Sequence, residues 1–167
     1  MADTAKGVVS MTPVVTIAAD ADADAVDAIH HDIKTTLGGA LEYAKVDAND
    51  KWFYNASRDL TATSANLISG DFTEGGTAAT TDDVRYLFVK HSGTTDGTTA
   101  VASGVKVYLN LDGSDAASVA NVMELGANEA ICLKLKAATG VDVENLHAAT
   151  SSGTVRCTVA AIIDDGG

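Results

Sequence analysis

The alternation of apolar and polar residues in the second half of the chain is the feature that most constrains the fold. Apolar side chains occupy every second position from Val105 to Leu111, from Ile131 to Leu135 and from Val155 to Ala161. Because successive side chains of a strand point to opposite faces, each run predicts a half-buried β-strand. A fourth run, Val84 to His91, is apolar on both faces and predicts a central strand. Together the four runs predict an antiparallel β domain.

The composition and the long connections refine this prediction. A chain of 167 residues can bury a core without metals or disulfides, and 46% hydrophobic with 20% charged residues predicts an ordered domain. Short strands separated by long, turn-rich segments favour an all-β, antiparallel β-sandwich. A jelly roll is the favoured version because it places long crossovers between sheets, and an up-and-down barrel is its main competitor.

The domain plan is a flexible N-terminal arm, residues 1–12, followed by a single β-sandwich domain, residues 13–167. Residues 22–37 fit both a helix and a strand, so the choice stays open with a slight preference for strand. Two short runs, residues 41–46 and 51–56, predict a β-hairpin.

The aromatic residues of this chain are few, at 5% of the sequence, and two of them stand close together. Trp52 and Tyr54 occupy alternate positions of the second predicted hairpin strand and therefore share a face. Large aromatic side chains bury much apolar surface. The sequence therefore predicts that Trp52 and Tyr54 anchor the core.

The charge excludes one class of partner. A formal charge of -12 opposes attraction to phosphate backbones, so no nucleic-acid partner is predicted. The segment Met1 to Gly7 has no apolar h-region of a signal peptide, and no run approaches the roughly 18 apolar residues of a membrane span. We therefore expect synthesis in a cytoplasm and no membrane partner.

The run Asp20, Asp22 and Asp24 begins like a calcium-binding EF-hand loop. The pattern then fails, because Ala25 stands where the loop needs Gly and His31 where it needs Glu. A solvated acidic turn is the preferred interpretation, and weak binding of a cation by these carboxylates stays open.

Other chemistry-bearing residues give no catalytic, cofactor or metal site. His30 and His31 are adjacent and cannot clamp one ion from one face. His91 and His147 have no Cys or carboxylate partner at zinc-like spacing and are predicted to be polar surface histidines. The sequence has no nucleophile elbow and no glycine-rich phosphate loop, so an enzyme is not predicted. Cys132 and Cys157 are predicted to lie on opposite faces of their strands, which forbids a disulfide between them.

Four basic residues are predicted to point outward from the sheets: Lys106, Lys134, Lys136 and Arg156. They make up four of the 11 basic residues of an acidic protein. One interpretation is a stripe that docks an acidic partner. The alternative, which we prefer, is that lysines on exposed strands discourage edge-to-edge aggregation.

Three segments resemble virion structural proteins of tailed bacteriophages, particularly marine phages. They are "VRYLFVKHSG" from Val84, "ELGANEAICLKL" from Glu124 and "SGTVRCTVAAIIDD" near the end of the chain. In those proteins a strand like "fLFVKHtG" precedes a "V-x-V-x-L" strand, then "LGPGEA", then a final "SGTV" strand. This chain departs at Ala127 and Asn128, where Pro-Gly is usual. The segment 41–55 has the same character.

The resemblance implies a non-enzymatic β-sandwich subunit displayed in many copies on a virion. Its favoured role is a capsid decoration or cement protein that binds the major capsid protein and itself, as a homo-oligomer and above all a trimer. The predicted arm, residues 1–12, would clamp a neighbour. A tail, neck or fibre component is the nearest alternative, and a carbohydrate-binding module comes from a different class.

Overall fold

The structure is a computed structural model that describes residues 4–9, 39–44, 51–69, 81–117, 122–135 and 141–164. The chain divides into two compact units, one of residues 6–42 and one of residues 1–5 and 43–167. Strands β1 (Thr4–Val9) and β2 (Gly39–Ala44) pair with each other in a two-stranded sheet. The predicted arm therefore contains a strand, and its clamping role stays a prediction. The open choice at residues 22–37 lies outside the described residues.

The larger unit contains two further antiparallel sheets, which pack face to face. The first has the order β3-β11-β5-β8, with β9 also pairing β5, and the second has the order β4-β10-β6-β7. Their strands are β3 (Lys51–Leu60), β4 (Ala65–Asn66), β5 (Asp83–His91), β6 (Val107–Asn110), β7 (Met123–Leu125), β8 (Ala130–Lys134), β9 (Val141–Asp142), β10 (His147–Thr150) and β11 (Val155–Asp164). A single 3₁₀ turn, Val143–Asn145, joins β9 to β10.

The strand pairing is that of a jelly roll. If β9 is set aside, the first of the eight remaining strands pairs with the last, β3 with β11, and the second with the seventh, β4 with β10. The third pairs with the sixth, β5 with β8, and the fourth with the fifth, β6 with β7. This is one long antiparallel hairpin folded over into two sheets. The predicted all-β sandwich of the jelly-roll type is confirmed.

The residues that the alternation predicted to point inward form the core. In β11 the inward residues Val155, Cys157 and Val159 are fully buried, and in the second sheet Val107 and Leu109 are buried. Strand β5 is central, between β11 and β8, which explains its apolar character on both faces. Strand β8 is an edge strand, and its Ile131 and Leu133 are only half-buried.

Two predictions about the first half of the sandwich are wrong. The predicted hairpin does not form, because β2 pairs with β1 whereas β3 pairs with β11. The predicted core anchor Tyr54 is also incorrect, since it faces outward with 58% of its surface exposed. Its neighbour Phe53, 1% exposed, is the core residue, because register with Ala161 of β11 turns it inward. The side chain of Trp52, the other predicted anchor, is not among those that the structure describes.

Candidate functional site

Three of the four basic residues predicted as a docking stripe are described, namely Lys106, Lys134 and Arg156, and these three do not lie side by side. Lys106 immediately precedes β6 of the second sheet, whereas Lys134 and Arg156 lie in the first. Lys134 is in register with Tyr86, and Tyr86 with Ile162, which is six residues along β11 from Arg156. At about 3.3 Å per residue that is about 20 Å. Lys136 lies outside the described residues. Binding of a partner by these residues stays a prediction.

Arg156 is hydrogen-bonded within the domain, so its charge is not free to bind a partner. Its guanidinium donates from Nε to Asp59 Oδ1 at 2.8 Å and from Nη2 to Asp59 Oδ2 at 3.0 Å. Its Nη1 also donates to the backbone carbonyl of Asp96. The bidentate contact raises the pKa of Arg156 and lowers the pKa of Asp59. Arg156 thereby joins β11 to β3 and to the loop after β5.

Lys106 and Lys134 differ in whether their charge is paired with an acidic side chain. Lys106 Nζ donates to Glu124 Oε1, a contact that raises the pKa of Lys106. Lys134 is exposed at the end of edge strand β8, and no ion pair to it is found within the described part of the chain. Of the described residues in the predicted stripe, Lys134 is therefore the one whose charge is available to a partner.

Strand directions give the sandwich two distinct ends. The loop end holds the C-terminus of β5, the N-terminus of β11, and the turns before β8 and after β10. Its described charged residues are four acids and four bases: Asp59, Asp96, Glu124, Glu129, Arg58, Lys90, Lys106 and Arg156. Among residues whose side chains the structure describes, the acidic end, at the opposite strand termini, has seven acids and two bases: Asp82, Asp83, Asp112, Asp115, Asp142, Glu144, Asp164, Arg85 and Lys134. The backbone of Lys51, in register with Ile163, also lies at this end.

A buried histidine organises the loop end. His91, the last residue of β5, is 0% exposed, and its Nδ1 accepts a hydrogen bond from the backbone N–H of Gly93 at 2.9 Å. Its Nε2 has no hydrogen-bond partner among the described residues. Burial lowers the pKa of His91, and the backbone of Val105 and the carboxylate of Glu129 oppose that shift only in part. The sequence predicted a polar surface histidine at this strand end, and that prediction is wrong, because His91 is in register with the buried Cys157 of β11.

The turn before β8 contains Ala127 and Asn128, the two positions at which the sequence differs from the Pro-Gly pattern described above. Glu129 N donates to Gly126 O at 3.0 Å, which closes a β-turn over Ala127 and Asn128. Asn128 has a positive φ of 68°, whereas Ala127 does not, as in a type II turn. Pro-Gly is the preferred pair for that turn, and asparagine tolerates the left-handed region better than most residues. Ala127 and Asn128 therefore form the turn type that Pro-Gly also favours.

A buried arginine organises the acidic end. Arg85 is 6% exposed and donates to Asp164 Oδ2 from Nε at 2.9 Å and from Nη2 at 2.6 Å. The same Nη2 lies 3.3 Å from Asp83 Oδ2. Asp83 is in register with Asp164 on one side and with Asp142 on the other, so three carboxylates stand in a row across three strands. Arg85 partly neutralises this row.

The row of carboxylates is electrostatically unfavourable despite Arg85. Burial raises the pKa of Asp83, and the neighbouring Asp142 and Asp164 raise it further, against the opposing effect of Arg85. Like charges directly opposite each other on adjacent strands destabilise a sheet. The acidic end therefore favours protonation of Asp83, whereas the loop end disfavours protonation of His91.

The two thiols lie on opposite faces, as predicted, and neither is in a disulfide. Cys157 is fully buried, and burial raises its pKa to about 12, so the thiolate needed for nucleophilic chemistry is scarce. Cys132 is half-buried on the outer face of β8, with Sγ 2.8 Å from the hydroxyl of Tyr86. Burial and this contact raise the pKa of Tyr86 to about 12.

Several earlier candidates fall outside the described residues, among them Asp20, Asp22, Asp24, His30 and His31. Within the described ranges, no group of three or more His, Cys, Asp or Glu side chains is placed to hold a metal ion. The same ranges contain no helix long and apolar enough to cross a membrane.

Comparison of the whole chain with protein-family models, with curated proteins and with solved structures finds no match in any of the three. Sequence reasoning missed both polar clusters, the one at His91 and the one at Arg85. A histidine and an arginine inside the apolar run Val84 to His91 were the available signals, because polar side chains in a central strand must find partners.

Proposed function

We propose that this protein is a non-enzymatic structural protein of a tailed-bacteriophage virion, a decoration or cement subunit that binds the capsid lattice. The observation that carries the proposal is where the resembling segments lie. The first segment, "VRYLFVKHSG", covers β5, the second, "ELGANEAICLKL", covers β7 and β8, and the third, "SGTVRCTVAAIIDD", covers β11. Strands β11, β5 and β8 are hydrogen-bonded neighbours. Three of the four strands in the resembling segments thus form one contiguous piece of the first sheet, and the fourth, β7, lies in the second sheet.

The architecture supports the same proposal. Jelly rolls serve as capsid domains, although lectins also use them, so the fold alone does not decide between the two. A rigid sandwich with a closely packed core suits a subunit whose task is to hold its neighbours in place. The protein would bind the major capsid protein and other copies of itself, as a trimer at a lattice axis. It would be made in the host cytoplasm and reside on the capsid surface.

The direct test is localisation in the particle. Mass spectrometry of density-banded virions of the encoding phage should detect the chain in many copies, and a low-resolution map should place it on the capsid shell. Light scattering of the purified protein should give the mass of a trimer. Density on the tail or neck would favour a tail or fibre component instead. Absence of the chain from banded virions would refute a virion role.

Lys134 provides a mutational test of partner binding. The variant Lys134→Glu, combined with Lys136→Glu, should weaken co-sedimentation with particles if these lysines dock an acidic partner. The matched control is Lys90→Glu, an exposed lysine on the adjacent strand β5. Equal binding by all variants would leave protection against edge-to-edge aggregation as the role of Lys134.

One observation favours a carbohydrate-binding module as the second candidate. The ring of Tyr54 is 58% exposed on the outer face of the first sheet, where a sugar ring could stack on it. A glycan array should then show binding that Tyr54→Ala abolishes. Binding to particles that survives Tyr54→Ala would favour the virion role.

A further inference from the structure

His91 is a buried titratable residue that the proposed function does not use. Its Nδ1 accepts from the backbone N–H of Gly93 at 2.9 Å. A backbone amide can only donate, so Nδ1 carries a lone pair and the neutral ring carries its proton on Nε2. That Nε2 is buried and has no hydrogen-bond partner among the described residues. The geometry therefore specifies one tautomer of the neutral ring.

The hydrogen bond from Gly93 lies at the base of the loop 92–101. Gly93 O accepts from Val101 N at 3.0 Å, which closes the loop on itself. Ser92 N donates to Arg156 O at 3.1 Å, and Arg156 N donates to Thr94 O at 2.8 Å, which ties the loop to β11. Movement of Gly93 would therefore strain every one of these bonds.

The groups that face His91 are the backbone of Val105, which raises the pKa of His91 against the effect of burial, and residues of three elements. Cys157 of β11 is in register with His91, and Arg58 of β3 is in register with Cys157. The guanidinium of Arg58 is turned toward β4, where it donates to the carbonyls of Asn66 and Leu67. The third is Glu129, whose carbonyl accepts from His91 N at 3.0 Å. Of these three residues, Glu129 alone carries a carboxylate, which favours the protonated form of His91.

We propose that His91 is an acid-sensitive latch that holds the loop 92–101 against β11 when neutral and releases it when protonated. A proton taken from solvent must bind at Nδ1, because Nε2 already carries one. The new N–H then faces the N–H of Gly93, so that hydrogen bond is lost and two donors oppose each other. Opening the loop lets water reach the imidazolium, which burial otherwise disfavours. This inference does not rest on a virion role.

Hydrogen exchange of individual amides tests the latch. The amides of Gly93, Val101 and Arg156 report the loop, and amides of β6 report the global fold. The variant His91→Asn keeps an acceptor, Oδ1, at the position of Nδ1 but cannot be protonated. After division by intrinsic exchange rates, the three loop amides of the wild type should exchange about tenfold faster at pH 5.5 than at pH 7.5. In His91→Asn the ratio should stay near one.

Control variants keep the test decisive. His147→Asn, at the acidic end, should leave the wild-type ratio unchanged. Glu129→Gln keeps an acceptor for Gly126 N but removes the carboxylate, so opening should require a lower pH; this variant serves if His91→Asn does not fold. The same acid response in wild type and His91→Asn would overturn the proposal. So would equal acceleration of the β6 amides, because opening would then be global.

Discussion

The two ends of the sandwich differ in the number of acidic and basic side chains and in how these side chains are paired. At the loop end, the described acids and bases are equal in number, and two ion pairs form among them, Arg156 with Asp59 and Lys106 with Glu124. At the acidic end a single buried arginine, Arg85, is bonded to two carboxylates of a row of three. The described charged side chains are therefore not spread evenly between the two ends of the sandwich.

The difference predicts opposite responses to pH. The lowered pKa of His91 means that the folded state resists protonation at the loop end, so acid destabilises that end. The raised pKa of Asp83 means that the folded state favours protonation at the acidic end, so acid relieves strain there. The stability contributed by the two ends of the same strand, β5, therefore depends on pH in opposite directions.

Removing the arginine of each end should give the largest contrast. Arg85→Met leaves Asp83 and Asp164 close together without their shared cation, which should cost about 3–5 kcal/mol at pH 7. Arg156→Met removes a more exposed pair and should cost much less. Urea unfolding at pH 7 measures both. Equal losses would break the distinction between the ends.

Glycine substitutions probe the backbone of each end. Gly93 and Gly113 both have a positive φ, and a Cβ there would lie 3.0 Å from Asn128 Oδ1 and 2.6 Å from Asn145 Oδ1 respectively. We expect Gly93→Ala and Gly113→Ala each to cost about 2 kcal/mol. Gly104, with positive φ but nothing within 4 Å, is the matched control, and Gly104→Ala should cost about 1 kcal/mol. Thermal unfolding at one pH ranks the three.

The pH dependence at the loop end should disappear with His91. Because the folded pKa of His91 is lowered, its stabilising contribution is present above the unfolded pKa near 6.5 and is lost as pH falls. Wild type should therefore lose up to about 1.4 kcal/mol per pH unit below pH 6.5, relative to His91→Asn. Urea unfolding of both proteins between pH 7.5 and 5.5 measures this. Parallel curves would contradict the prediction.

The smallest effect is expected at Asp83. Its raised pKa means that ionisation costs stability as pH rises through the folded pKa, and this cost is fully present at pH 7. Asp83→Asn should therefore stabilise the protein by about 0.2–1 kcal/mol at pH 7. The gain should vanish below about pH 4, where the unfolded carboxyl is also protonated. A loss of stability at pH 7 would show that the pair with Arg85 dominates.

The strands of the second half could be predicted because their apolar and polar side chains alternate with the period of a half-buried strand. Val107, Leu109 and Val159 alternate with polar residues and are buried as expected. The first half lacked that signal. In β3, Phe53 and Tyr54 are adjacent aromatics, and only the register with Ala161 and Ala160 of β11 decides which one enters the core. The size of the aromatic side chains did not predict that Phe53, rather than Tyr54, is buried.

The candidate site was predictable only in part. The outward placement of Arg156 follows from alternation, but its partner Asp59 is 97 residues away in the sequence. The polar cluster at His91 likewise joins β5, the turn before β8 and the loop 92–101. A single sequence does not state which distant residues meet, so pairing of charges could not be foreseen.

By itself the sequence determined the all-β class, the inward faces of the later strands and the acidic character of the chain, because each depends on local spacing or on a sum over residues. Only the tertiary structure decided which strands are neighbours, that Tyr54 faces water, and that Asp83, Asp142 and Asp164 stand in one row. The physical reason is that a register shift of one residue reverses the face of every side chain in a strand. Register is set by contacts between segments far apart in the chain.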